Sequence, residues 1–485
     1  MYSPFAVVAL VGRMLVLFAL LMGVPLAFSL GQNDAAEDAF LIAICVTLVA
    51  GVLASLATRR FQRELQPRDG FMLVALTWVV MPAFGALPLW LAVPDMSVTD
   101  AYFEAMSALT TTGATVLTGL QALPMSVNVW RCFMVLIGGM GIIVLVVAIL
   151  PLLGVGASQL FNSETAGPMK DRKHTPRIAE TARGLWLVYF AISVACMLSY
   201  RMAGMGWADA FMHMCSTMGL GGLAAYDESF AAFDSPLIEA VAVFFMLLAG
   251  VNFSLYFLVW RKRSAWVLLR DTEARAYAGL MVGSVLLIAV FLYVNGVYGN
   301  FLESLRHAAF NVVSVATTTG YATVDYALWP AFAPVYMLFL CSFATCAGST
   351  GGGIKLVRSL LLQKQALREL TRIVHPRAVV PVTFGGAVVP SQVMHSVLAF
   401  MLIYGLVMVA VTMLLLLSGM DLISAATAAI ACVNNTGPGL GQVGPASNYQ
   451  GLNDFQTWVC TFAMLLGRLE LLSLLVLFTP QFWRR

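Results

Sequence analysis

Four short, moderately apolar stretches, each ending in a glycine-bearing polar loop, recur between longer apolar runs of this chain, and no other feature constrains its fold as much. The loops read Thr110-Thr111-Thr112-Gly113-Ala114, Gly219-Leu220-Gly221-Gly222-Leu223, Thr317-Thr318-Thr319-Gly320-Tyr321 and Asn434-Asn435-Thr436-Gly437-Pro438. Aligned on Gly113, Gly222, Gly320 and Gly437, they are spaced 109, 98 and 117 residues apart. Thirteen residues before each glycine stand Asp100, Asp209, His307 and Ser424, and three of these four are good helix N-caps. Six residues before it stand Ser107, Ser216, Ser314 and Ala431. Choosing the glycines did not impose either match. A lone glycine here would mark only a loop or a close helix contact; four in register mark a repeated unit.

The runs between these stretches are long enough to cross a bilayer, whose hydrocarbon core of roughly 30 Å needs about 20 apolar residues. Ten crossings are predicted: 5–30, 37–57, 71–93, 126–154, 184–204, 236–260, 274–297, 330–347, 392–418 and 453–480. The short stretches near 100–112, 209–219, 304–317 and 424–434 cannot cross. With 60% hydrophobic and 11% charged residues, the chain lacks the polar surface of a soluble protein of 485 residues. The first run shows no clear small-residue cleavage site and is read as a retained crossing, not a leader. The eight cysteines are scattered, mostly in apolar runs without metal-ligand spacing, and read as small buried hydrophobes.

Charge placement orients the crossings. One face collects Arg59, Arg60, Arg63 and Arg68; Lys170, Arg172, Lys173, Arg177 and Arg183; Arg261, Lys262, Arg263, Arg270 and Arg275; Lys355, Arg358, Lys364, Arg368, Arg372 and Arg377; and Arg484 and Arg485. Those are 22 of the 27 Lys and Arg, leaving Arg13, Arg131, Arg201, Arg306 and Arg468. The opposite loops are acidic or neutral. Both termini are therefore expected in the cytoplasm, as an even number of crossings also requires.

The predicted fold is an all-α integral membrane protein. Two N-terminal helices (1–68) precede four helix–pore loop–helix repeats at 69–156, 157–263, 264–376 and 377–485 around a central pore. Each short helix enters from the non-basic side. At about 1.5 Å per residue it stops mid-membrane, with the negative end of its dipole turned inward. Irregular backbone at that depth is tolerated only where it faces protein or a water-filled path. A ring of carbonyls from four loops can replace the hydration shell of a potassium ion. The candidate filter residues are Thr111, Thr112 and Gly113; Leu220, Gly221 and Gly222; Thr318, Thr319 and Gly320; and Asn435, Thr436 and Gly437. Glycine supplies positive φ without a Cβ clash. No Asp or Glu lies in these loops, which suits a monovalent better than a divalent cation.

Two further features fit a gate. Ala347–Gly353 interrupts the second helix of the third repeat, and Gly348, Gly351, Gly352 and Gly353 make its backbone permissive. As a phosphate loop Gly348–Lys355 fails, because Ile354 precedes the lysine and Leu356 replaces the Ser/Thr. Arg468 lies mid-crossing, where an isolated charge costs about 2.5–3.5 kcal/mol or more. The carbonyls of the glycine-rich loop are its expected partners, and Glu470, two positions away, is not. Lys355 reads either as part of the same barrier or as a cytoplasmic anchor. His213 and His307 fall on the short helices and read as packing groups, and Asp100 and Asp209 as caps.

The four loops resemble the filters of the Trk/Ktr/HKT potassium transporters, and the two extra N-terminal helices make the chain most similar to the bacterial TrkH type. The resemblance spans the whole chain. It implies a bacterial inner-membrane potassium uptake pore, pseudo-tetrameric in one chain, surrounded by lipid and dimeric. It also implies a cytoplasmic nucleotide-binding regulatory subunit of the TrkA type. In that family glycine at all four filter positions goes with potassium, and serine in the first with sodium; here all four are glycine. The family also places an arginine at the barrier below the filter, which the resemblance assigns to Arg468. The second loop, with extra Gly219 and Gly221, departs most from the pattern. The main alternative is an ion-coupled transporter holding a small solute at broken helices, although such folds use inverted repeats and here all four units share one orientation. Neither an enzyme nor a nucleic-acid binder is expected, since no ligand set or nucleophile–base pair is present.

Overall fold

A computed structural model describes residues 5–59, 66–148 and 175–484. Arg60, Arg63, Lys170, Arg172, Lys173, His174, Arg485 and the end of the predicted 126–154 crossing lie outside them. Among the described residues, six helices are long and apolar enough to cross a membrane alone: Phe5–Gln32, Glu37–Ala57, Arg68–Ala92, Ala182–Met202, Thr272–Val294 and Ser391–Leu417. The last has only 17% of its apolar window buried. Leu402, Leu406 and Leu417 on it are exposed, as a bilayer-facing helix requires. The N-terminal pair packs through small residues: a Cβ on Gly12 would lie 2.8 Å from the Gly51 carbonyl oxygen. The pair rests on the first repeat, with Phe18 and Trp130 rings 5.3 Å apart.

Two predicted crossings are not straight. Pro236–Ala249 and Phe253–Lys262 meet at 88°, and Asp454–Arg468 and Leu472–Phe478 at 105°. Gly250–Asn252 breaks the first, where the Asn252 side chain caps the new helix by accepting from the Ser254 amide at 2.9 Å. Glu470 (φ 53°) and Leu471 (φ 47°) break the second. The first break meets neighbouring irregular backbone: the Gly250 carbonyl accepts from the Cys346 amide, and the Phe253 amide donates to the Gly348 carbonyl. The third such break is the anticipated one, between Phe332–Cys341 and Leu356–Val374.

The four short helices are Val98–Leu109, Trp207–Gly219, Phe301–Ala316 and Leu422–Val433, here called pore helices 1 to 4. Their caps differ from the expected residues. Ser97, Gly206 and Asp421 occupy the cap positions, sixteen residues before the glycines. Asp100, Asp209 and Ser424 sit three positions later, inside the first turn. There the side chains of Ser97 and Asp421 accept from the amides of Asp100 and Ser424. An acid at that position also favours the positive end of the helix dipole, which makes cap and first-turn residues easy to confuse. In the third repeat the helix begins a turn earlier at cap Asn300, leaving His307 within it, stacked on Tyr298. Seven of the eight cysteines are buried; Cys45 is exposed, on an outward-facing stretch of Glu37–Ala57.

Candidate functional site

Each pore helix ends in the same hydrogen-bonded turn. The amide two residues before the glycine (Thr111, Leu220, Thr318, Asn435) donates to the carbonyl five before it: Ala108, Thr217, Val315 and Cys432. The next amide (Thr112, Gly221, Thr319, Thr436) donates to the carbonyl six before it: Ser107, Ser216, Ser314 and Ala431. This is a Schellman ending, with φ of 54°, 54°, 60° and 54° at Thr111, Leu220, Thr318 and Asn435. Gly113, Gly222, Gly320 and Gly437 follow at φ 82°, 61°, 89° and 90°. These turns direct the loop amides back to the pore helices. Among the described residues, the carbonyls of Thr112, Gly221, Thr319 and Thr436 accept no protein hydrogen bond.

The four loops close a ring. A Cβ on Gly113 would overlap the Gly221 carbonyl, one on Gly222 that of Thr319, and one on Gly320 that of Thr436; one on Gly437 would lie 2.7 Å from the Thr112 oxygen. Each glycine thus abuts the carbonyl preceding the glycine of the next repeat, in the cyclic order 1–2–3–4–1. Glycine is required by close approach and by handedness at once. Behind the ring, Thr110 and Thr112 hydroxyls lie 2.8 Å apart, as do those of Thr317 and Thr319. Asn435 Nδ2 donates across repeats to Thr112 Oγ1 at 3.0 Å, and Tyr449 Oη donates to the Gly437 carbonyl at 2.7 Å. On the side away from the basic face, a cavity of about 280 Å³ is lined by all four glycines.

On the other side lies the glycine-rich interruption. The Gly352 amide donates to Thr318 Oγ1 at 2.9 Å, and Thr350 Oγ1 to the Met218 carbonyl at 3.1 Å. A Cβ on Gly352 would overlap the Asn434 carbonyl. The segment therefore touches the end of pore helix 2 and the loops of repeats 3 and 4. Gly348 (φ 72°) and Gly353 (φ 80°) turn its backbone. Gly351 sits where a Cβ would be 3.1 Å from the Thr317 oxygen. Arg468, 2% exposed, donates from Nη1 to the Thr350 carbonyl at 2.8 Å and from Nη2 to that of Gly138 at 3.0 Å. Lys355 is buried and its Nζ donates to the Gly351 carbonyl. Glu470 pairs instead with Arg358 at 2.6 Å. The four-glycine ring, the glycine-rich segment, Lys355 and Arg468 are thus joined by direct contacts.

Sequence reasoning missed three supports. Glu104 and Arg131 form a fully buried pair at 2.7 Å beside the first loop. Glu273 accepts from the amides of Ala347 and Val357 at 2.8 and 3.1 Å, stapling the two ends of the interruption. Tyr449 reaches the ring of loops from the segment after pore helix 4. The usable signal was the charge itself: Glu104 lies within an apolar stretch and Arg131 within an apolar run, and such a charge needs a partner.

The fold agrees with comparisons to known proteins. The family described as "TrkH: Cation transport protein" matches residues 36–485. The Trk system potassium uptake protein TrkH of Escherichia coli (strain K12) is 43% identical over 99% of both chains, as is that of Salmonella typhimurium (strain LT2). The Trk system potassium uptake protein TrkG of Escherichia coli (strain K12) is 38% identical over 98% of this chain and 97% of its own. The crystal structure of the potassium transporter TrkH from Vibrio parahaemolyticus superposes with a TM-score of 0.93 at 41% identity, covering 100% of both chains. This chain belongs to the TrkH family of cation transport proteins, helical membrane transporters and not enzymes.

Proposed function

We propose that this chain is a potassium-selective uptake pore of a bacterial cytoplasmic membrane, with both termini in the cytoplasm. The observation that carries the reading is the cyclic closure of four loops, each glycine against the next loop's carbonyl. Four unpaired carbonyls, at Thr112, Gly221, Thr319 and Thr436, are then available to take the place of water around a dehydrated cation. The converging negative ends of four pore helices favour a cation at the same place. The names of the relatives, all potassium uptake proteins, support the choice of ion. The clustering of basic residues on one face supports the orientation.

The interrupted segment acts as the gate: Gly348, Gly351, Gly352 and Gly353 make it mobile, and Arg468 and Lys355 bolt it beneath the filter. Its contacts with the end of pore helix 2 and with loops 3 and 4, and the two Arg468 hydrogen bonds, support this role. Opening requires those bonds to break together, driven from the basic face. A nucleotide-binding subunit of the TrkA type is the proposed driver, acting on a dimer of this chain.

Rubidium-86 uptake into proteoliposomes tests the reading. Uptake competed by potassium and resisted by sodium is expected. Intact protein that takes up no rubidium, or equal competition by both ions, would overturn it.

A further inference from the structure

Nine residues before the four filter glycines stand Glu104, His213, Asn311 and Ala428. In two repeats this residue holds the chain as it leaves the filter. Glu104 Oε2 accepts from the Val116 amide at 3.1 Å, three residues past Gly113. Asn311 Oδ1 accepts from the Thr323 amide at 3.3 Å, three past Gly320. In the fourth repeat alanine cannot, and the adjacent Thr427 Oγ1 accepts from the Leu440 amide at 2.9 Å instead. The second repeat breaks the pattern. His213 Nδ1 faces the Asp209 carbonyl of its own helix, and its buried Nε2 has no partner among the described residues.

The exit of the second loop is held from the first repeat. Arg131 Nη1 donates to the Ala224 carbonyl at 3.2 Å, two residues past Gly222. The same guanidinium donates from Nε to Glu104 at 2.7 Å and from Nη2 to Thr115 Oγ1 at 3.1 Å. Thr115 in turn donates to Glu104. One buried ion pair therefore ties together the exits of loops 1 and 2, whose meeting point is Gly113 against the Gly221 carbonyl.

We propose that Glu104 and Arg131 are positioning residues for ion discrimination, fixing the spacing of filter loops 1 and 2. The proposal rests on the filter reading above. Selectivity in a carbonyl ring depends on its size and on the field of its dipoles, and both change if neighbouring loops drift. A neutral partner would leave the other charge buried and unpaired, so the exits would rearrange around it. The Arg306–Glu239 pair, at 2.6 Å between repeats 2 and 3, is the natural control, because among the described residues the Arg306 side chain bonds only Glu239 and Asp234 and no filter loop.

The test compares rubidium-86 uptake, and its inhibition by sodium, in proteoliposomes carrying Glu104→Gln, Arg131→Gln, Thr115→Val, Arg306→Gln or Gly113→Ser. Glu104→Gln and Arg131→Gln are expected to lower rubidium-over-sodium discrimination by tenfold or more and to raise the KM for rubidium. Thr115→Val, which keeps both charges and the shape of the side chain, should shift the ratio less in the same direction. Arg306→Gln should keep the parent ratio. If the charge variants do not accumulate, Thr115→Val decides. A parent ratio in every variant that accumulates, alongside a degraded ratio in Gly113→Ser, overturns the positioning role and leaves the filter standing. A parent ratio in Gly113→Ser removes the filter reading itself.

Discussion

Adding a side chain at a filter glycine perturbs the ring at a known place and by a graded amount. Gly113 has φ 82°, and a residue with a Cβ held in the left-handed region costs about 1–2 kcal/mol. That strain alone is tolerable in a protein whose loop is pinned by a Schellman turn. The decisive effect is steric: the Cβ would overlap the Gly221 carbonyl, while its carbon would be only 2.9 Å away. That carbonyl must therefore move or rotate off the axis. At Gly437 the nearest atom to the added Cβ is the Thr112 oxygen at 2.7 Å, still too close but relieved by a smaller shift. Losing about 1.4 kcal/mol of preference between two ions is a tenfold loss of discrimination. Gly113→Ser is expected to lose at least that much, and Gly437→Ser a smaller amount. Gly283→Ala, on a helix where an added Cβ meets nothing within 4 Å, should lose none. The assay is rubidium-86 uptake against increasing sodium. Equal discrimination by Gly113→Ser and the parent would refute the reasoning.

Arg468→Ala removes two charge-assisted hydrogen bonds, each worth about 1.5–3 kcal/mol, so leak of rubidium from loaded vesicles should rise at least tenfold; no rise removes the gate argument. Gly352→Val should perturb the closed arrangement through the Asn434 carbonyl, and leak of rubidium from loaded vesicles should rise. Tyr449→Phe removes the hydroxyl that binds the Gly437 carbonyl, and is expected to lower discrimination without lowering the thermal midpoint by more than a few degrees. Ser97→Ala removes the cap of pore helix 1 and should cost about 1 kcal/mol, read as a lower thermal midpoint with unchanged ion preference.

The four short helices and the glycine-bearing loops that meet in the ring were legible because they depend on local rules: an apolar run too short to cross and a glycine at fixed spacing. Arg468 and the carbonyl of Thr350 were also legible in kind, since a charge in mid-membrane needs a partner and the glycine-rich segment offers carbonyls. The caps were misplaced by one turn because Asp100 and Asp209 resemble caps while serving the first turn. The bends at Gly250–Asn252 and Leu469–Leu471 were hidden because one polar residue, Asn252 or Glu470, leaves the mean hydropathy across the break high enough for a crossing. The pairing of Arg131 with Glu104 was hidden for a different reason. It is a contact between two helices, and nothing in either stretch specifies which partner will be opposite.

The second loop illustrates what the ring actually demands of its sequence. Leu220 and Gly221 stand where the other loops have Thr111 and Thr112, Thr318 and Thr319, or Asn435 and Thr436, yet the amides of all four make the same two bonds to their pore helix. Asparagine enters the left-handed region readily, but threonine and leucine do not. The backbone is thus held against preference in three of four loops by its own helix end and by closure on the next loop. The Leu220 side chain packs where the other loops carry threonine or asparagine, whereas each ring glycine is held by two constraints, positive φ and close approach. It follows that exchanging Leu220 for Thr should disturb ion preference far less than adding a single methyl group at Gly222, although the first replaces a whole buried side chain.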